Sequence, residues 1–375
     1  MTLSEALAQA EYIAGSLSLP HCEDFAEVAG SAKLAGGIGG RGMARRDWGQ
    51  LGFADHMVMR HGRPNALLTR LTELIDWSGL ERIVAGVHDS PHGAPAYPPS
   101  AMLKALLLQQ WYGLSDPGLE EALWDRLSFR VFCGLPLGET APDYSTINRF
   151  RNALSKDGLD RQVFEAINRQ LDQKGLLLRK GTLIDASLIP AAVNPPKKPK
   201  EPLPPGPDGK VPSQLVKSKR DPAAEWAKKG GKRYFGYKAH VGIDKGSAII
   251  RRVKLTGASV NDTVPADEMI CGDEAAVYAD AAYHTHRREA ELTKRGIEAH
   301  LMRRGNKHHA LSQADKDRNK AIGKHRGPVE QVFGRMKTTY RWARARCLGL
   351  ARNTTHLLLL CTAMNLKRMV VLCAP

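Results

Sequence analysis

The spacing of hydrophobic residues changes near residue 181 of this 375-residue chain. Over residues 63–155, apolar side chains recur every three or four positions, which is the spacing of one helix face. The pattern predicts helices near Leu67–Ile75, from Pro98 to Trp111, over Leu119–Phe132 and over Ile147–Leu154. This first part is expected to be an all-helical N-terminal domain, assigned to residues 43–155.

The last of these helices carries a polar face. Pro142–Thr146 supplies its start signals, because Asp, Ser and Thr side chains cap the free N–H groups of a first turn. Short helices that end in an arginine-bearing one resemble a helix-turn-helix that contacts DNA. A plain helical bundle with a solvated face is the alternative. The polar residues expected to be exposed are Asn148, Arg149, Arg151 and Asn152.

After Gly181 the pattern becomes that of short apolar strands separated by helices. The predicted strands are Thr182–Ile189, Tyr237–Ile243, Ala248–Leu255, Ala275–Ala279 and Ile297–Met302. The predicted helices are Val264–Ile270, Arg287–Lys294 and Pro328–Arg346. Three early strands followed by alternating helix and strand are the order of an RNase H-like mixed sheet. The expected fold class is therefore α/β, with this sheet at residues 175–350 and a C-terminal helix at 351–375.

Two segments fit neither pattern. Residues 1–42 end in a glycine-rich run typical of a linker, and one hypothesis takes Met43 as the native start. Residues 193–233 contain nine prolines, and eleven Lys/Arg against four Asp/Glu. Because proline fixes φ and removes an N–H donor, this segment is expected to be extended or disordered and outside the core. It is either a DNA-clamping insertion or an inert surface loop.

Composition adds a strong positive charge. The chain has 55 Lys/Arg and 39 Asp/Glu, a formal charge of +16, which favours a polyanionic partner such as nucleic acid. Its six cysteines form no CxxC pair, which argues against a zinc ribbon or disulfide framework and fits a reducing cytoplasm. The N-terminus does not read as a signal peptide, and the apolar stretch Leu357–Met364 is too short to span a bilayer.

Three carboxylates stand in unusual settings. Asp185 interrupts an apolar strand, where burial is costly unless a cation pairs with it. Asp280 follows a strand at its C-terminal end, where ligands gather in open α/β sheets. Taken alone, Asp185 could lie on an exposed edge strand, and Asp280 could cap the next helix.

Glu330 is the most informative of the three. At about 100° per residue, Lys337 lies within ~20° of Glu330 around a helix, and Arg326 within ~40° if the helix extends back that far. Residues 303–346 contain thirteen Lys/Arg and only three acids, a charge field that suits a DNA groove. A salt-bridged surface helix is the alternative.

These motifs together resemble those of a bacterial family of DNA-moving enzymes. Arg326-x3-Glu330-x6-Lys337 is similar to the signature around the catalytic glutamate of IS-four-like DDE transposases. The Asp185 strand and Tyr278–Tyr283 resemble that family's two aspartate motifs. The remaining segments resemble the IS-five group, and the likeness spans roughly residues 45–372. These segments are Pro98–Leu154, Gly236–His240 and Thr256–Thr263.

The resemblance implies Asp185, Asp280 and Glu330 as a catalytic triad that binds two Mg²⁺ ions, with Mn²⁺ as a substitute. It implies cleavage at insertion-sequence ends and transfer of the 3′-OH to target DNA, by a homodimer on double-stranded DNA in the bacterial cytoplasm, at the nucleoid. Further DNA contacts are expected at Arg326, Lys337, Lys238, His240, Arg149, Arg151 and Tyr283. Tyr283 could alternatively support the loop that follows Asp280.

The sequence departs from the family at two points. The signature's tyrosine, three residues before Arg326, is replaced by Gly323, and Ala281-Ala282 replaces a Lys-Gly pair after Asp280. Two other functions stay open: a catalytically decayed transposase that acts as a DNA-binding repressor, and an RNase H-like nuclease without strand transfer.

Overall fold

The structure is a computed structural model that describes residues 57, 65–87, 96–196, 218–305 and 310–374. The linker expected at residues 1–42 and the hypothesis of a start at Met43 lie outside the described residues.

Seven helices lead the described chain. Side-chain oxygens of Asn65, Asp76, Ser115 and Asp143 accept hydrogen bonds from first-turn N–H groups of the helices they precede. The helix predicted over Leu119–Phe132 is divided, because Arg126 adopts an extended conformation. The helices are α1 (Ala66–Leu74), α2 (Trp77–Val84), α3 (Pro99–Tyr112), α4 (Asp116–Asp125), α5 (Leu127–Cys133), α6 (Tyr144–Lys156) and α7 (Leu159–Gln173).

A six-stranded mixed sheet follows. Its strands are β1 (Thr182–Pro190), β2 (Glu225–Lys229), β3 (Lys232–Asp244), β4 (Ile250–Gly257), β5 (Ala276–Ala279) and β6 (Glu298–Leu301). The strand order is β2-β3-β1-β5-β6, and β4 also pairs with β3. β3 runs antiparallel to β1, β2 and β4, whereas β5 runs parallel to β1 and β6. All five predicted strands are confirmed in type, with shifted ends.

Four helices accompany the sheet: α8 (His286–Lys294), α9 (Gln313–Gly323), α10 (Gly327–Lys337) and α11 (Leu350–Leu372). The helix predicted over Pro328–Arg346 is too long. It ends at Lys337, and Arg341 then adopts a positive φ of 53° that a helix cannot contain. The helix predicted over Val264–Ile270 is wrong, since only a short 3-10 turn, Asp267–Met269, forms there.

The proline-rich segment 193–233 is only partly as expected. Its residues 197–217 are outside the described part of the chain. Its last residues belong to the fold, because β2 pairs with β3 and Asp221 is fully buried. Tyr237 donates a 2.6 Å hydrogen bond to that carboxylate. The expectation that the whole segment lies outside the core is therefore wrong at its C-terminal end.

Helix α11 joins the helical part to the sheet. It packs against α3, α7 and β4. Trp111 Nε1 donates to the carbonyl of Ala363 at 2.8 Å, and the amide of Asn365 exchanges two hydrogen bonds with Ile250. By length and composition α11 could cross a membrane, but 72% of its apolar window is buried in the protein, as in a core helix. One buried cluster extends from α1 to α11, so the division into domains at residues 155 and 175 stays a prediction.

Candidate active site

Asp185 and Asp280 lie side by side on neighbouring parallel strands. β1 and β5 pair in the register Ile184↔Ala279. Asp185 is the next residue on β1, and Asp280 is the first residue after β5 ends. Neighbouring strands lie about 4.8 Å apart, and matched positions face the same side of a sheet. The two carboxylates are therefore brought together where β5 ends.

Asp185 is a half-buried carboxylate with one positive partner. Its Oδ1 accepts the N–H of Ala186 at 2.8 Å, and its Oδ2 lies 2.9 Å from a guanidinium nitrogen of Arg326. Burial raises the pKa of Asp185 above its ordinary value; Arg326 lowers it, and the negative charge of Asp280 raises it again. A second cation beside these two carboxylates would relieve the burial and the repulsion.

Asp280 is held by the turn that follows it. Its Oδ1 accepts the N–H of Ala282 at 2.9 Å, and its carbonyl accepts the N–H of Tyr283 at 3.1 Å. The first bond orients the carboxylate through Oδ1, and the second closes the backbone turn.

Helix α10 turns the face that carries Glu330 toward β1. Arg326, its N-cap residue, has helical angles (φ −83°, ψ −13°), so the helical geometry does extend back to it. Arg326 reaches Asp185, and Lys337 Nζ donates to Ser187 Oγ at 2.6 Å. Glu330 lies between these two anchors on nearly the same face and is exposed to solvent.

The three carboxylates are not drawn into one tight group. Among the described residues, two other sets of side chains place three donor atoms within 4.8 Å of one another: His284, His286 and Glu289, and a second set around Cys271. In each set a carboxylate is already ion-paired with arginines, as Glu289 is with Arg318 at 3.3 Å. The structure thus brings Asp185 and Asp280 together, and it leaves Glu330 exposed on the helix whose Arg326 and Lys337 contact β1.

Tyr283 is buried beneath the two aspartates, with 1% of its surface exposed. Burial raises the pKa of its hydroxyl, and the charges of Asp262, Asp185 and Asp280 raise it further. The buried ring offers no face on which a base could stack, so of the two expected roles of Tyr283 its burial favours loop support. Its position is that of a support for the Asp280 turn.

Lys238 already has internal partners. Its Nζ lies 2.8 Å from an Asp262 carboxylate oxygen and donates to the carbonyl of Val260 at 2.7 Å. Both side chains line a groove of about 480 Å³ that extends from Trp226 past Ala282 to Arg304. Lys238 therefore faces a groove next to the Asp280 turn, with its charge balanced by Asp262.

Two of the side chains expected to contact DNA are buried. His240 is fully buried, and its Nε2 shares a 3.1 Å hydrogen bond with Thr256 Oγ1. Arg151 is 8% exposed and forms an ion pair with Asp116 and a 3.0 Å hydrogen bond with Gln109. Both side chains therefore bind partners inside the protein. Arg149 remains exposed, with a 2.9 Å hydrogen bond to Thr146.

Sequence reasoning missed two partners at the site. Ser187 anchors Lys337, and Asp262 balances Lys238 beside Tyr283. Asp262 had a weak signal, because it lies in the polar run Asn261–Thr263 after a strand. Ser187 had none, since a serine two positions after Asp185 in a strand is ordinary.

Family models match two segments of the chain. Residues 57–153 match the family described as Transposase domain (DUF772), and residues 177–366 match the family described as Transposase DDE domain. No solved structure matches the chain. Since the second match covers half of the chain, the protein belongs to the DDE transposases. Members of this class bind DNA, act on it as nucleases and transposases, and use divalent metal ions.

Proposed function

We propose that this protein cuts DNA at the ends of an insertion sequence of the IS-five group and joins the freed 3′-OH to target DNA. One observation carries the proposal. Asp185 and Asp280 are neighbours at the end of the parallel strands, and the helix face that carries Arg326, Glu330 and Lys337 turns toward them. The sheet is antiparallel on one side of β1, where β3 pairs with it, and parallel on the other, where β5 does, and this supports an RNase H-like fold.

The residues fit a site for divalent metal ions. Asp185, Asp280 and Glu330 offer hard carboxylate oxygens, the donors that Mg²⁺ and Mn²⁺ prefer. Burial, and to a lesser degree the charge of Asp280, raises the pKa of Asp185 although Arg326 lies beside it. We infer that the three residues hold two Mg²⁺ ions, or Mn²⁺ in their place. Such a pair activates the attacking oxygen and stabilises the leaving one.

Arg326 and Lys337 have distinct roles in this proposal. Lys337 is held at Ser187 beside the carboxylates, where its ammonium can neutralise a scissile phosphate. Arg326 supplies the positive charge beside Asp185 through one terminal nitrogen at 2.9 Å. Its other guanidinium N–H groups can donate to a phosphate while this ion pair persists. Lys238 and Arg149 remain further candidates for contact with DNA.

The wider setting follows from the reaction. Two ends must be held together to be joined to one target, so we propose a homodimer on double-stranded DNA that carries terminal inverted repeats. The formal charge of +16 suits this partner. The expected location is the bacterial cytoplasm, at the nucleoid.

The test is an assay of end cleavage and joining with Mg²⁺ on the element's own terminal DNA. We expect Asp185→Asn, Asp280→Asn and Glu330→Gln each to lower both steps by at least about 100-fold, since each replaces a charged carboxylate ligand by a neutral amide. Asp317→Asn, at an exposed carboxylate on α9, is the matched control and should retain wild-type rates. Full activity in any of the three variants would overturn the assignment.

The same assay separates the alternatives. A nuclease without strand transfer would nick the ends but never join them to target DNA. A decayed transposase that acts as a repressor would bind the ends and cut nothing.

A further inference from the structure

A second polar crevice lies between the helical part and the start of α11. It has a volume of about 240 Å³ and is formed by α6, residues 346–348 and the first turns of α11. Its lining includes Asn148, Asn152, Arg151, Arg346 and Arg352. None of these residues belongs to the candidate active site.

Positive charge exceeds negative charge around this crevice. Burial raises the pKa of Cys347 on its wall; Arg151, Arg352 and Arg346 lower it, and Asp116 raises it. Asp116 is the ion-pair partner of Arg151, so its charge is already matched. The carboxylate of Asp160 accepts a 2.6 Å hydrogen bond from Thr355 on the wall. Even with Asp160 counted, one arginine charge is left over, and the first turn of α11 contains no acidic residue to offset it.

The crevice is also rich in hydrogen-bond donors. Arg346 is anchored through Nη1 to the carbonyl of Leu114 at 3.2 Å, which leaves other guanidinium N–H groups available. Asn152 Nδ2 donates to Asn148 Oδ1 at 2.6 Å, so the amide of Asn152 keeps a second N–H. The buried Nε of Arg151 has no hydrogen-bond partner in the described part of the chain. Arg352 is exposed at the rim.

We propose that this crevice binds a backbone phosphate of duplex DNA, outside the active site. A phosphate oxygen accepts several N–H bonds at once, and arginine matches its geometry with paired donors. A volume near 240 Å³ holds one phosphate group and excludes a whole duplex, so the rest of the DNA would lie along the surface. This inference rests on the proposed function, because that function makes DNA the anionic partner.

The proposed site differs from the sequence-based interpretation of α6. That helix was expected to contact DNA through Arg149 and Arg151. In the structure Arg151 serves the interior, and the polar face of α6 meets the arginines of α11 and its preceding loop instead. The DNA contact is therefore shared by two distant segments of the chain, which sequence spacing could not reveal.

The experiment measures duplex binding by fluorescence anisotropy in EDTA, where cleavage cannot occur, over a range of salt concentrations. Each phosphate contact contributes about one unit to the slope of log K against log salt concentration. We expect Arg352→Gln and Arg346→Gln each to weaken binding several-fold at moderate salt and to reduce the slope by about one. Arg82→Gln, at an exposed arginine on α2, is the matched control and should change neither quantity.

Wild-type affinity and slope in both crevice variants would overturn the inference. The crevice could instead be a site for free phosphate. In that case the wild-type protein would bind inorganic phosphate in a calorimetric titration, while both variants would keep wild-type DNA affinity. That result would also contradict the inference. Thermal unfolding of each variant checks that the fold is intact. If the wild-type protein binds duplex DNA but does not cut terminal DNA, the proposed function is wrong. The salt slopes of the variants would then still decide whether the crevice binds a phosphate.

Discussion

Lys337 shows how a single contact can position a charge for phosphate. Its Nζ donates to Ser187 Oγ at 2.6 Å, and burial lowers its pKa. A partly buried ammonium interacts more strongly with a phosphate than a solvated one does, because less water screens it.

We therefore expect Lys337→Met to lower the rate of end cleavage by about 10- to 100-fold, with little change in stability. Arg335→Met is the control, since Arg335 is exposed and lies about 140° around the helix from Glu330. Equal losses in both variants would show that α10 contributes only general positive charge.

His240 makes stability depend on pH. Burial lowers its pKa from 6.5 to about 4, so the unfolded chain takes up this proton more readily than the folded one. Stability is therefore lost as the pH falls from 6.5 toward 4. The cost reaches about 2 kcal/mol at about pH 5.

Urea unfolding at neutral pH and near pH 5 measures this dependence. His240→Gln should reduce the acid-induced loss of unfolding free energy by about 2 kcal/mol, whereas His286→Gln, at an exposed histidine, should not. An unchanged acid loss in His240→Gln would mean that other groups cause it.

The surroundings of a polar residue could be predicted only where the neighbouring sequence constrains them. Asp185 interrupts an apolar strand, and Asp280 follows one, so their neighbourhood could be inferred. Arg151 and His240 sit in ordinary polar contexts, and their burial depends on Asp116 and Thr256, partners that fold in from 35 and 16 residues away.

At the scale of elements, β3 organises the sheet. Its residues from Lys232 to Gly236 pair with β2, and those from Tyr237 to Ile243 pair with β4. Gly236 lies where the partner of β3 changes from β2 to β4. It pairs with Pro190 on β1 and with Glu225 on β2.

A side chain at Gly236 would collide with β1. A Cβ atom built there lies 2.2 Å from the carbonyl oxygen of Ile189 and 2.6 Å from the nitrogen of Ala191, both of which are backbone atoms. Gly236→Ala should lower the free energy of unfolding by about 3 kcal/mol, as measured by urea unfolding. Gly138→Ala, where a Cβ meets nothing within 4 Å, is the control. Equal stability of the two variants would contradict this packing.

Strands with a clear apolar run were predictable, and β2 was not. Glu225–Lys229 is polar and follows a proline-rich stretch, so nothing local favours a strand. It forms because β3 offers an open edge. The end of α10 could not be predicted either, because no proline or glycine marks it and the chain turns instead at Arg341, in the left-handed conformation.

At the scale of the whole molecule, α11 makes the helical part and the sheet share one core. The apolar stretch Leu357–Met364 was visible in sequence, but its position between α3, α7 and β4 was not, because these contacts join residues more than 100 positions apart. The shared core keeps the polar crevice in a fixed place on the same body as the candidate active site.

The central claim is that Asp185, Asp280 and Glu330 bind the same divalent metal ions. Fe²⁺ substituted for Mg²⁺, with ascorbate and peroxide, generates radicals that cut the chain next to the bound ion. We predict three cuts, near residues 185, 280 and 330, that excess Mg²⁺ suppresses and that the triple variant Asp185→Asn, Asp280→Asn, Glu330→Gln lacks. Cutting confined to the His284–Glu289 cluster, or the absence of any cut near Glu330, would contradict the account.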